Sequence, residues 1–460
     1  VEREGSARRS VQVTRVVELA SQWEYSQGKD WPAHLAQAEG SGLRSQWLRA
    51  WLVGPLGTAR FEADENQFGT AVFADDFRLF RKALVWFQAE KTSPNANILA
   101  GALPQEQRQR FADLLGWPSD FVAWRRLIDF ILRRISDIPQ RLYPEIVAIF
   151  EVWQNALADL HNRTSSALLQ QCATWLAAID AISTADGPDG NSAYWDKVPG
   201  LGAFRKSLGK LLLRSSRVEP TLADDYLQRV ANSDRIRDDA FHDIIAYSPI
   251  LAQSLPQSVV ELSLAFLRKD LPDEQVAREK QELHDAAEWR KAVLAKPEAE
   301  RSRQEKMALS GGFYLQTIGD FSYHDWERLS IHDDHRSFGP PSPLREPFHS
   351  LFQSSPDEAL RLLRELCNHA MTAWRQLHRH SRDRGGTPIP LELTFPWGTQ
   401  MFWGTDREYL WFRSIWAPRA IGCGFMALEE WCFAELSRGR PVDELIQQIV
   451  EGNECIAVLV

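Results

Sequence analysis

The chain has 460 residues, 44% of them hydrophobic and 25% charged, a globular balance with room for two or three domains or one extended helical array. A formal net charge of −9 argues against a generic polyanion binder, and Arg125-Arg126, Arg133-Arg134 and Arg205-Lys206 read as solvated helix faces. No long uncharged apolar run is present, and five cysteines without zinc-type spacing read as reduced core thiols of a cytoplasmic protein.

In chain order, helical segments are predicted at Val11–Ala20 and Leu43–Val53, the second with Trp47 and Trp51 four apart. Phe73, Phe77, Phe80, Leu84 and Phe87 fall at helical steps. A shorter segment at Phe111–Leu115 precedes helices at about Phe121–Ile135, Glu145–Leu160 and Ser165–Ile182. The stretch Ala185–Gly202, with Asp186-Gly187-Pro188-Asp189-Gly190-Asn191, is the best loop or boundary candidate in the first half. Helices resume at Leu222–Val230, Asp234–Ala246 and Ser258–Leu267. Pro272 to about Met307 is strongly charged and predicts a solvated helical hairpin broken near Pro297, with Leu283, Ala287 and Leu294 as its thin apolar stripe.

The clearest element follows Ser355-Pro356-Asp357-Glu358, where a hydroxyl at the N-cap, proline at the first helical position and glutamate at the third suggest a capping box. Leu360, Leu363, Cys367, Ala370, Met371, Trp374 and Leu377 then form one stripe, and Gly385-Gly386 stops the helix. Pro388–Phe395 alternates as a strand and, with Met401-Phe402-Trp403, predicts a small hairpin. Arg440-Pro441-Val442-Asp443-Glu444 opens a last helix with Leu445, Ile446, Ile449 and Val450 on its apolar face.

The fold expected is all-α, a multi-helical, solenoid-like array with one small β-hairpin near 388–404. Its regions are 1–184, 203–310 with the charged hairpin, and 311–460 with the tryptophan-rich hairpin. The start at Val1 and the apolar run Cys455–Val460 suggest a fragment of something longer. Pro249…Leu255-Pro256 resembles Pro347…Ser355-Pro356, but a spacing of about 100 residues exceeds one standard repeat unit.

Seven of the 11 histidines lie between 324 and 380. Within the group at 324–349, His332, Asp333 and His335 are of the types that ligate a hydrolytic metal, yet no H-E-x-x-H helix is present and the aspartates could equally cap or turn the backbone. Gly422-Cys423-Gly424-Phe425-Met426-Ala427 fits a loose dinucleotide pattern but lacks the strand before it, so its small residues read as a close helix approach. No phosphate-binding loop, nucleophile elbow or kinase motif set occurs, and no catalytic or cofactor-binding residue is assigned. Trp397, Trp403, Trp411 and Arg413 are the candidate partner surface, with core packing as the competing role for the tryptophans.

Pro341-Ser342-Pro343-Leu344-Arg345-Glu346-Pro347-Phe348, Leu363-Arg364-Glu365-Leu366-Cys367-Asn368-His369-Ala370, Pro396-Trp397-Gly398, Tyr409-Leu410-Trp411-Phe412-Arg413 and Met426-Ala427-Leu428-Glu429 resemble segments of large bacterial STAND-type ATP-binding proteins. Some of those proteins are anti-phage sensors. The resemblance implies a helical scaffold or sensor region that binds a protein or other macromolecular trigger and is not catalytic by itself. ATP and Mg are then expected only in a further domain, and an oligomer only in a full-length protein. No membrane association is expected, and nucleic acid is not the favoured partner. The alternatives are a metal-dependent hydrolase at the His/Asp cluster and a nucleic-acid-binding helical module using the tryptophans and Arg379-His380-Ser381-Arg382.

Overall fold

The computed structural model describes residue 56 and residues 61–89, 121–157, 161–184, 195–310, 318–380, 388–413 and 417–460. The expected helices at Val11–Ala20, Leu43–Val53 and Phe111–Leu115, and the stop at Gly385-Gly386, lie outside these residues. The described chain is all-α apart from one two-stranded hairpin. It forms two compact units that divide at Tyr226/Leu227, so the residues expected as a middle region, 203–310, are shared between them.

In the first unit, α1 (Phe61–Ala89) packs on α3 (Tyr143–Leu157), and α2 (Phe121–Arg133) packs on α4 (Arg163–Thr184). Helix α5 (Leu201–Arg214) lies on α3 and α4. Helix α1 begins before the expected Phe73 because Phe61, Phe68 and Val72 extend its buried stripe. Phe61 and Phe68 meet Phe130 edge-on, with the Phe68 and Phe130 centroids 5.2 Å apart. Tyr143 stacks on Trp175 at 4.5 Å, and the Arg205 guanidinium pairs at 2.7 Å with Asp180, a carboxylate only 3% exposed. Helices α4 and α5, on either side of the expected loop, thus pack together within the first unit.

The division falls within α6 (Pro220–Ala231). The second unit continues with α7 (Asp234–Ile245), α8 (Ser248–Ser254), α9 (Pro256–Leu267) and the charged pair α10 (Pro272–Ala295) and α11 (Arg303–Ser310). Next come α12 (Tyr323–Arg328), α13 (His335–Phe338), α14 (Phe348–Ser354) and α15 (Pro356–His380). Strands β1 (Leu391–Phe395) and β2 (Gly398–Phe402), α16 (Asp406–Tyr409), α17 (Arg419–Ser437) and α18 (Val442–Val450) complete it.

Helix α15 is the centre of this unit. All seven stripe residues read from the sequence are buried, and the helix is covered by α9, α10, α12, α14 and α17. Its start differs from the expected capping box. The Ser355 hydroxyl donates to the Ala252 carbonyl at 3.1 Å, and the Glu358 carboxylate pairs with Arg361 at 2.8 Å. The cap residue therefore ties α15 to the end of α8.

The two proline-started segments are a structural duplicate. Short α8 packs on short α14, and long α9 packs on long α15. The junction residues Leu255 and Ser355 share one backbone conformation, with φ/ψ of −143/52° and −149/69°. Glu261 and Arg361, 100 residues apart and at matching positions, pair with each other at 2.7 Å. Arg268 adds a second cross-link to Glu365 at 2.7 Å.

Helices α10 and α11 are largely exposed and are joined by a short connection at 296–302, and the apolar stripe of α10 is shifted from the expected one. Val276 and Val293 are buried, whereas Leu294 is 51% exposed. With one apolar position per turn or fewer, α10 has no dominant face in its sequence, and the side that touches α15 is set by tertiary contact. Strands β1 and β2 are antiparallel, with Leu391 opposite Phe402 and Phe395 opposite Gly398. Phe402 is buried, and the Gln400 amide donates to the Val450 carbonyl at 3.1 Å.

Gly424 marks the tightest helix approach in α17. A Cβ there would lie 2.8 Å from Leu363 Cδ1 and 3.0 Å from Phe348 Cε1. Gly424→Ala is expected to destabilise the second unit by about 1–3 kcal/mol through overpacking, measured by urea unfolding. Gly202→Ala, where a Cβ meets nothing within 4 Å, is the neutral control; equal behaviour of the two variants contradicts the packing role.

Candidate functional site

The loop between α12 and α14 is built by local backbone chemistry. Leu329 and Ser330 are both left-handed, with φ of 46° and 57°, and turn the chain back beside the end of α9. Ile331 there bridges antiparallel to Arg268, and the His332 amide donates to the Leu267 carbonyl at 2.7 Å. Asp334 then caps α13, its carboxylate accepting from the amides of Arg336 at 3.0 Å and Ser337 at 3.1 Å. At Gly339 a Cβ would sit 2.8 Å from the His335 carbonyl oxygen, so glycine is required where the chain leaves this turn. The peptide bond Gly339-Pro340 is cis, and Arg345 donates to the carbonyls of both residues, at 2.9 and 3.2 Å.

This pinned loop forms one wall of a cleft of about 620 Å³. Gly339, Pro340, Pro341, Ala417, Pro418 and Ile331 supply apolar surface, and the polar lining is His324, Glu327, Arg328, Asp333, His335, Arg407 and Arg419. Asp333 forms a direct ion pair with Arg419 and lies 3.7 Å from both Arg328 and His335. Glu327 lies 3.5 Å from Arg407 and 3.6 Å from His324. The Arg407 guanidinium also covers the Tyr323 ring at 5.5 Å.

The three residues considered as metal ligands do not converge. Asp333 and His335 line the cleft, but His332 packs its imidazole on the Phe266 ring at 4.7 Å. Arginine already occupies Asp333. Among the described residues no group of three or more His, Cys, Asp or Glu side chains is placed to hold a metal ion. The other histidines in the run are dispersed into local contacts. His349 meets Gln353 at 3.0 Å, His369 donates to the Lys269 carbonyl at 2.9 Å, and His380 meets Asp273 at 2.7 Å. His378 sits between Trp326 and Trp374, with centroids at 4.6 and 4.0 Å.

Of the residues expected as a partner surface, Trp411 is buried and Trp397 and Trp403 are partly exposed. Trp411 is 2% exposed and belongs to the core. Trp397 stacks on Phe395 at 4.7 Å and donates through its indole N–H to Gln400 at 2.8 Å. Trp403 exchanges main-chain hydrogen bonds with Glu454 and Ile456, while Arg375 covers its ring at 4.8 Å. The Arg413 side chain lies outside the described residues. Sequence reading missed the convergence of Arg328, Arg407 and Arg419, which come from three separate segments and share no local motif. It also missed the outward turn of part of the last two helices: Phe433 and Leu436 on α17 and Val442 and Ile446 on α18 are 64%, 41%, 55% and 42% exposed.

The glycines of Gly422-Cys423-Gly424 lie within α17 and are buried against neighbouring helices, in keeping with a packing role. All five cysteines are free, and among the described residues no helix is long and apolar enough to cross a membrane. No protein-family model and no curated protein sequence matches this chain.

Burial pushes the His332 and His369 imidazoles below their ordinary value, reinforced by Lys269 beside the first and Arg268 beside the second. Asp334, Asp238 and Asp333 oppose the shift at His332, as do the Lys269 carbonyl and Glu274 at His369. The unfolded chain takes up these protons near pH 6.5, before the folded protein does. Their contribution to stability is therefore present above that pH and is lost as pH falls toward the depressed native values. The thermal midpoint should drop between about pH 7.5 and about pH 5.5, and the drop should be smaller in His369→Gln; an identical pH dependence in the variant contradicts this assignment.

Proposed function

We propose that this chain is a helical scaffold and sensor region of a larger cytoplasmic NTPase-type protein, one that binds a protein or other macromolecular trigger and catalyses no reaction itself. The observation that supports it best is the outward apolar face of the last two helices. Phe433 and Leu436 are three apart on α17, and Val442 and Ile446 are four apart on α18, so each pair forms a ridge on one helix side. Such ridges are spent on the core in α15 but are left in solvent here, where large apolar side chains are the usual anchors of a partner interface.

The NTPase part of the proposal rests on the resemblance to STAND-type proteins. The cleft agrees with a binding role, since it gathers hydrogen-bond donors without a nucleophile held by a base. Nucleic acid is less well supported as the partner. Arg379 and His380, two of the basic residues considered for it, both pair with Asp273, at 2.8 and 2.7 Å, and Arg382 lies outside the described residues.

The reading frame containing Val1 is expected to encode, upstream, a phosphate-binding loop followed by an acidic metal-binding strand, and sequencing that frame is the direct check. A complete frame without such a loop would overturn the NTPase assignment.

A further inference from the structure

Among the described residues that line it, the cleft carries more cationic than anionic side chains. Three guanidiniums, from Arg328, Arg407 and Arg419, face two carboxylates, Glu327 and Asp333. These five side chains sum to one net positive charge. Both acids are shared, Asp333 between two arginines and Glu327 between Arg407 and His324. The start of α17 adds positive character, because Pro418 and Arg419 line the cleft and the helix has no acidic side chain in its first turn.

We propose that this cleft binds a small organic phosphate monoester. The site's own carboxylates are monoanions, so an incoming group that competes for the same guanidiniums must carry more charge than they do. A phosphate monoester is close to a dianion at neutral pH, with three terminal oxygens that several guanidinium forks reach from different directions. The volume of about 620 Å³ exceeds what inorganic phosphate needs and leaves space for an organic body. Pro340, Pro341 and Pro418 offer that body a wall with no side-chain charge. The loop carrying Asp333 is already fixed by the Asp334 cap and by Arg345, so little of the site has to be ordered on binding. The assignment uses none of the apolar ridge residues and stands or falls separately from the partner-surface proposal.

The test is isothermal titration calorimetry on the whole chain with glucose phosphate, glucuronate, glucose and a phosphoserine peptide. Glucose phosphate should bind at least about tenfold more tightly than glucuronate, and glucose should give no heat. Arg328→Gln and Arg407→Gln should each weaken glucose phosphate by about tenfold or more, without moving the thermal midpoint. If one variant is destabilised, the other still decides the matter. The proposal is overturned by no binding of glucose phosphate at millimolar concentration, by equal binding of glucuronate, or by full affinity in both variants. Tighter binding of the phosphoserine peptide than of glucose phosphate would replace the small-molecule assignment with a phosphoprotein.

Discussion

The second unit depends on burying one helix. Helix α15 presents an apolar stripe that runs its whole length, and five helices cover it. Several of the surrounding helices are short or charged. Helices α8 and α14 are seven residues each, and α10 has a small apolar stripe, so none would hold its conformation outside a tertiary context. Their positions follow from contact with α15 or with its duplicate α9. The Ser355–Ala252 hydrogen bond and the Glu261–Arg361 pair sit at this junction and fix its register. The ion pair is partly exposed, so it specifies geometry more than it adds stability.

From this frame the two candidate surfaces follow. The loop 329–341 is anchored at one end by its bridge to the last turn of α9 and at the other by the Arg345 clamp below α14. That holds Asp333 against Arg419 at the start of α17, a helix whose own place is set by Gly424 against Leu363 of α15. A cleft built this way has walls from separate parts of the chain but a common rigid base. The hairpin is attached differently, through Phe402, the Gln400 amide and the main chain of Trp403. Trp397 makes its contacts within the hairpin, and Trp403 joins through its main chain. Exposed apolar side chains remain at Leu391 and Met401 on the hairpin and at Phe433, Leu436, Val442 and Ile446 on α17 and α18.

What could be read from sequence divides along a physical line. Helix α15 was legible because its strong 3.6-residue period needs no knowledge of its neighbours. Gly424 was legible as a packing residue because the strand that a nucleotide fold requires was missing. The histidine run misled, since closeness in sequence does not give convergence in space; His332 and His378 are turned into aromatic contacts, and His335 alone of the C-terminal five lines the cleft with Asp333. In α18 the period predicted an apolar face that included Ile446, but contact reaches only Leu445 and Val450 as buried positions. The three cleft arginines were invisible because each is an ordinary charged surface residue in its own segment. Only the fold around α15 brings them together.

Hydrogen–deuterium exchange on the intact chain tests most directly whether α15 is the base on which the rest is held. Amides of α15 and of α9 beneath it should exchange last in the second unit, through its global unfolding, while most of solvated α10 exchanges early. Exchange of α15 as fast as α10, or protection that peaks in the hairpin instead, would contradict the central place given to this helix.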